Sequence, residues 1–170
     1  MDHMSAVMEG PLADLDAWET TGCSIARAMD LIGTRSAMLI LREAYYGTRR
    51  FDGFARRVGV TDAAAASQLR KLTEAGLLEK QPYREEGQRT RNEYVLTKKG
   101  LDLLPAVVAL WQWGDEYLQP GPPPLLRVDA ETGEPVRVEL RSADGTPIEL
   151  DRLGVRVNKE YLRARKRAGD

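Results

Sequence analysis

The sequence predicts a mainly helical α+β fold: several helices, one β-hairpin, a long helix after it, and a small β-rich appendage. Three observations carry this prediction. Apolar residues recur at helical spacing over residues 25–75, and Gly33, Gly47, Gly59 and Gly76 stand where successive periods end. Two strand-like stretches flank a polar, glycine-containing segment at residues 84–91. Beyond the proline-rich run from Gln119 to Pro124, short alternating stretches replace the helical pattern.

In chain order, Ile25, Ala28, Met29 and Ile32 mark a first amphipathic helix that Gly33 caps. A second begins near Arg35. Its run of Met38, Leu39, Ile40, Leu41, Ala44 and Tyr45 is apolar nearly all round, as expected of a buried central helix. Phe51, Phe54, Ala55 and Val58 give a short third helix that Gly59 ends. The segment from Val60 to Gly76 is a fourth, with Thr61 or Asp62 as N-cap. Two helices joined by a tight glycine-containing turn make a helix-turn-helix. On the second of them Ala65, Leu69 and Leu72 point inward; Ala64, Ser67 and Lys71, flanked by Ala63, Gln68 and Arg70, form the face suited to a DNA major groove. Leu77 to Tyr83 and Asn92 to Thr97 then read as the strands of a wing.

A long helix from Lys98 to about Leu118 carries two apolar stripes, Leu101, Leu104, Val108, Trp111, Leu118 and Leu103, Val107, Leu110, Tyr117. One stripe can cover its own domain, and the second calls for another surface. A homodimer supplies it, with a helix around Leu12 to Trp18 wrapping the partner. The expected organisation is therefore an N-terminal arm (1–22), a winged helix-turn-helix and dimerisation domain (23–118), a proline-rich linker (119–124), a β-hairpin appendage (125–157) and a basic tail (158–170).

Charge is segregated along the chain. Residues 49–100 carry 12 Lys and Arg against 7 Asp and Glu, whereas residues 1–48 carry 3 against 7 and residues 101–157 carry 5 against 10. The formal charge of −1 for all 170 residues hides this basic centre, which would attract a polyanion such as double-stranded DNA. There is no apolar run of membrane-spanning length and no secretory signal pattern, so a cytoplasmic location is expected. A single cysteine, Cys23, and a single histidine, His3, leave no His-based triad, no thiolate zinc site and no expected metal or cofactor. The appendage has no His, no Cys and no carboxylate pair at catalytic spacing, so no enzyme is expected.

Arg84, Arg89 and Arg91 on the wing, with Arg49, Arg50, Arg56 and Arg57, are the candidate phosphate clamps; the plain alternative is a solvated charged surface. Thr61, at the helix start, and Ser67, Gln68, Arg70 and Lys71 are the other DNA-contact candidates. Cys23 is either a buried packing residue or a redox sensor whose thiol meets an oxidant or electrophile. Trp18, Tyr45, Trp111 and Trp113, with Tyr46, form either a pocket for a small aromatic effector or ordinary dimer core.

Several segments in this order resemble the HxlR-type transcriptional regulators, winged-helix proteins related to MarR-type regulators. They are Cys23-Ser24-Ile25 with Leu31-Ile32-Gly33, then Leu39-Ile40-Leu41-Arg42-Glu43, Arg49-Arg50-Phe51, Leu69-Arg70-Lys71-Leu72 with Ala75-Gly76-Leu77, and Tyr94-Val95-Leu96-Thr97-Lys98-Lys99-Gly100 with Leu104-Pro105. The resemblance spans Cys23 to about Leu118. It implies a homodimer that binds an inverted-repeat operator and has no enzymatic activity. The expected function is a repressor that an oxidant, an electrophile or an aromatic ligand releases. Two departures stand out. Arg35-Ser36 replaces the Lys-Trp or Arg-Trp pair usual in the family, and Ala63, Ala64 and Gln68 occupy recognition-helix positions that are usually polar or basic. Alanine can touch a thymine methyl but makes no bidentate base contact, which forgoes about 1–3 kcal/mol of discrimination per position. A winged helix that binds a protein partner, with little sequence-specific DNA binding, is the alternative.

Overall fold

The computed structural model describes residues 5–14, 16, 22–84, 87 and 90–168. His3, Trp18 and Arg89 therefore lie outside the described residues. Chain order is β1 (Val7–Met8), α1 (Ser24–Ile32), α2 (Arg35–Tyr45), α3 (Phe51–Val58), α4 (Asp62–Glu74), β2 (Leu78–Tyr83), β3 (Arg91–Leu96), α5 (Lys98–Leu101), α6 (Leu104–Tyr117), β4 (Gly154–Val155) and α7 (Lys159–Ala168). The chain divides into two compact units, one from Gly22 to Val138 and one formed by both chain ends, residues 1–21 with 139–170.

The larger unit is built on α2, whose Ala37, Ile40 and Leu41 are fully buried. Against it pack Phe54 and Val58 of α3, Leu69 and Leu72 of α4, and Leu77 and Leu78 where the chain enters the hairpin. Each such aliphatic or aromatic side chain contributes roughly 1.5–3 kcal/mol when removed from water. Gly59 adopts φ +71° between α3 and α4, a left-handed turn that only glycine enters without penalty. Thr61 is the residue that caps α4, its hydroxyl oxygen accepting from the Ala64 N–H at 3.3 Å. The helix-turn-helix is thus set by a glycine and a threonine two residues apart.

β2 and β3 pair antiparallel from Leu78 opposite Leu96 to Tyr83 opposite Arg91. The inner face of this wing is locked to the core by Tyr94, whose ring meets Phe54 edge-on at 6.1 Å. Its base is fixed by Thr97, which donates its hydroxyl to the Gly76 carbonyl at 2.6 Å and accepts from the Gly100 N–H at 3.1 Å. Gly100 is obligatory here, because a Cβ would stand 2.3 Å from the Leu77 carbonyl oxygen.

The long helix expected from Lys98 to Leu118 is two helices, interrupted at Asp102 and Leu103. Pro105 lacks an N–H, and its ring would collide with the carbonyl of Leu101 in a continuous helix, so α6 restarts with proline in its first turn. The stripes expected on this helix and on α1 are covered little by their own chain. No residue of α6 is buried, and Leu110, Trp113, Tyr117 and Leu118 are exposed. Of the α1 stripe only Ile32 is buried, while Ile25 is 73% exposed.

Residues 119–138 fold back within this unit. Gln112 accepts from the Val138 N–H at 2.9 Å, and Arg127 forms an ion pair with Asp115 while its guanidinium lies 5.0 Å from the Trp111 ring centroid. Val128 bridges Pro135 around a turn at Gly133. The smaller unit joins the chain ends through a parallel pair, Val7 with Gly154 and Met8 with Val155, beside a 3.1 Å ion pair of Glu9 with Arg156. In it Arg141 bridges Pro147 around the turn at Gly145.

Candidate nucleic-acid interface

Local sequence places the helix-turn-helix surface. With Ala65, Leu69 and Leu72 of α4 buried, Ala63, Ala66, Arg70 and Lys71 are left exposed, while Ser67 and Gln68 are half-buried. Arg70 and Lys71 therefore present free length to solvent, and Ser67 and Gln68 stand lower on the surface. Thr61 is exposed and uses one lone pair of its hydroxyl oxygen on the cap, which leaves its O–H to donate outward.

The first helix of the motif is tied to the wing at its start. The Arg49 carbonyl accepts from the Tyr94 N–H at 2.8 Å, so this residue adds an edge contact to β3. Its guanidinium sits 3.3 Å from Glu93, and the Arg50 guanidinium lies 4.9 Å from the Tyr83 ring centroid on β2. Arg84 and Arg91 are exposed at the outer ends of the two wing strands. A polar cleft of about 460 Å³ opens beside α3, lined by Arg49, Arg50, Arg56 and Arg57 together with Asp52 and Glu93. Four guanidinium groups stand against Asp52, Glu93 and the Glu43 carboxylate behind Arg57, which leaves this wall positive by one formal charge, at the place where the first helix of such a motif crosses a phosphate backbone.

Sequence reasoning missed Glu43. It is 2% exposed in the last turn of the central helix, and its carboxylate accepts from Arg42 at 2.6 Å, from Thr48 at 3.3 Å and from Arg57. Burial alone would raise its pKa, but the hydrogen bonds and charges of Arg57 and Arg42 outweigh burial and hold it below the usual carboxylate range. Glu43 thereby fastens α3 to α2 and fixes one wall of the arginine cleft. The available signal was the Arg42-Glu43 pair directly after the apolar run Met38 to Leu41, followed by the Arg56-Arg57 pair in the next helix. Lys99 was also unmarked; it donates to the Ala75 carbonyl at 2.8 Å and closes the C-terminal end of α4.

The aromatic residues separate. Tyr45 donates its hydroxyl to the Gly100 carbonyl at 2.6 Å and belongs to the helix-turn-helix core, where burial raises its pKa. Trp113 is exposed and tilts against Tyr117 at 5.8 Å. Trp111 instead meets Tyr46 edge-on at 6.2 Å, in a groove between α2 and α6. Cys23 is exposed at the N-cap of α1, so the packing alternative does not describe its surroundings within the chain. Among the described residues no group of three or more His, Cys, Asp or Glu could hold a metal ion, and no helix is long and apolar enough to cross a membrane.

The chain is similar to known proteins. Residues 31–122 match the HxlR-like helix-turn-helix family. The uncharacterised HTH-type transcriptional regulator Rv3095 of Mycobacterium tuberculosis is 48% identical over 108 residues, which cover 62% of this chain and 67% of that one. PA1607, a candidate transcription factor, superposes with a TM-score of 0.70 at 35% identity over 82% of this chain and 96% of its own. The oxidised form of the redox regulator HypR gives 0.52 at 26% identity, over 57% and 99%.

Proposed function

This chain belongs to the HxlR-like helix-turn-helix family of transcriptional regulators, and on that premise we propose that it acts in the cytoplasm as a homodimeric repressor on an inverted-repeat operator. The observation that carries this reading is the cationic rim around α4: Arg70 and Lys71 on the helix, Arg49 and Arg50 at the start of α3, Arg84 and Arg91 on the wing, all exposed. In the proposed complex α4 enters the major groove, Arg70 and Lys71 reach base edges or flanking phosphates, and the wing arginines hold the backbone. Exposed Ala63 and Ala66 let the helix approach closely and touch thymine methyl groups. Exposed apolar side chains on α1 and α6 supply the dimer surface, which spaces the two recognition helices about one DNA turn, roughly 34 Å, apart.

The test is fluorescence anisotropy with the DNA upstream of the protein's own gene and a scrambled duplex, each at two salt concentrations. Tight binding that depends on sequence supports the repressor. Weak binding equal for both duplexes supports instead a docking surface for a protein partner, the reading that the alanines on α4 favour. Cys23, exposed and without a second cysteine in the chain, favours redox control through an adduct or an intersubunit bridge. Loss of operator binding on treatment with diamide, abolished by Cys23→Ser, is the outcome expected of that control.

A further inference from the structure

Helix α7 carries a charge pattern that its own unit does not use. It runs over ten residues from Lys159 to Ala168, and Asn158 fixes its start, the side-chain oxygen accepting from the Glu160 N–H at 2.9 Å. Five of those ten residues are Lys or Arg and one, Glu160, is acidic, so the helix carries net +4 in a chain of net charge −1. Lys159, Arg163 and Arg167 stand at i, i+4 and i+8, which places them along one side of the helix. All three are exposed, and the ion pairs printed by this unit, Arg141 with Glu139 and Arg156 with Glu9, leave them out.

By itself such a row is unfavourable. Like charges four residues apart repel on a helix surface, and a cation in the first turn opposes the helix dipole. A ten-residue helix has little intrinsic stability to set against this. Anions laid along the stripe would turn the repulsion into attraction. From Lys159 to Arg167 the stripe is about 12 Å long at 1.5 Å per residue. Over that length of axis one strand of B-DNA presents about three or four phosphates, one or more for each cation. A membrane surface fits less well: apart from alanine, the apolar residues of α7 are Tyr161 and Leu162, whereas an interfacial helix buries a continuous apolar face.

We infer that α7 is a second, sequence-independent contact to double-stranded DNA, with Lys159, Arg163 and Arg167 laid along the phosphate backbone. The inference rests on the regulator reading for its choice of DNA among polyanions. Fluorescence anisotropy on the full chain tests it, with the DNA upstream of its own gene and a scrambled duplex, each over a salt series. The variant Lys159→Gln/Arg163→Gln/Arg167→Gln should keep the parent's circular dichroism and Tm. Its slope of log K against log salt should fall by about 0.9 for each phosphate released, about 2.7 per protomer, on both duplexes alike. The ratio of the two affinities should not change, because phosphate contacts carry no sequence information. Arg163→Ala combined with Ala164→Arg keeps the composition but moves the middle cation off the stripe, and should lower the slope by about 0.9. Unchanged slopes in the triple variant would overturn the inference. So would a lowered slope there beside an unchanged one in the charge-preserving pair, which assigns the effect to net charge alone. Binding of the parent to vesicles of phosphatidylcholine and phosphatidylserine that the triple variant loses, with DNA slopes unmoved, would assign α7 to a membrane surface instead. The two proposals fail separately. Sequence-dependent binding with unmoved slopes removes the α7 contact alone, and lowered slopes with equal affinity for both duplexes remove the repressor alone.

Discussion

Replacing Glu43 by glutamine should unfasten the helix-turn-helix from its central helix. The substitution keeps volume but turns one carboxylate oxygen into an amide NH₂ that faces guanidinium donors, which cannot accept. One charge-assisted hydrogen bond, worth about 1.5–3 kcal/mol when well made, is broken, and the other is kept only to a neutral acceptor. Breaking a fully buried ion pair costs about 3–5 kcal/mol. Here the Glu43 side chain is 2% exposed, but those of Arg42 and Arg57 are 37% and 51% exposed and regain water when released. The cost should therefore fall near the low end, about 2–3 kcal/mol, or a drop of about 5–10 °C in Tm for a chain of this length. Urea unfolding followed by circular dichroism would read it as a lower midpoint with an unchanged slope. A double-mutant cycle with Arg57→Gln should return a coupling of at least about 1 kcal/mol. A loss below about 0.5 kcal/mol, the range of ordinary surface changes, would refute the assignment of Glu43 as a charged tether.

The same carboxylate sets an acid limb of stability. Its folded pKa is lowered, so its contribution is complete above the unfolded carboxyl pKa and is lost as pH falls through the folded one; urea midpoints across pH should show this limb flattened in Glu43→Gln. Arg91→Ala should weaken DNA binding across sequences and reduce the slope of log K against log salt by about 0.9 for each phosphate that Arg91 neutralises, and an unchanged slope would take Arg91 out of the interface. Thr61→Ala removes the cap of α4 and should cost about 1 kcal/mol by urea unfolding. Ile25→Glu, at a position 73% exposed, should leave circular dichroism unchanged but raise the monomer fraction in sedimentation; a dimer as tight as the parent would exclude α1 from the interface.

Most of the winged-helix unit is legible in its residues because each element there is fixed locally. Gly59 and Thr61 specify the turn between α3 and α4, the spacing of Ala65, Leu69 and Leu72 specifies which face of α4 packs, and a polar loop between two strand-like stretches specifies the hairpin. The cationic residues that end up exposed follow from that assignment, since whatever is opposite a buried stripe faces water. The break before α6 was readable too, at Pro105, but the strength of the surrounding apolar pattern concealed it.

What tertiary structure alone decided involves partners distant in sequence. The pairing of β1 with β4 joins residues nearly the full chain apart, and a parallel pair leaves no turn between its strands to signal it. Glu43 acquires its role only where Arg57 and Thr48 converge on it, and Tyr45 and Tyr46, adjacent in sequence, point to different places, the first to the Gly100 carbonyl and the second to Trp111. The helices, the wing and the basic surface are legible along the chain, because period, caps and turn residues act over a few positions. Packing determined which arginine is a tether and which aromatic ring faces a groove, because burial and hydrogen-bond partnership are properties of atoms brought together from separate elements.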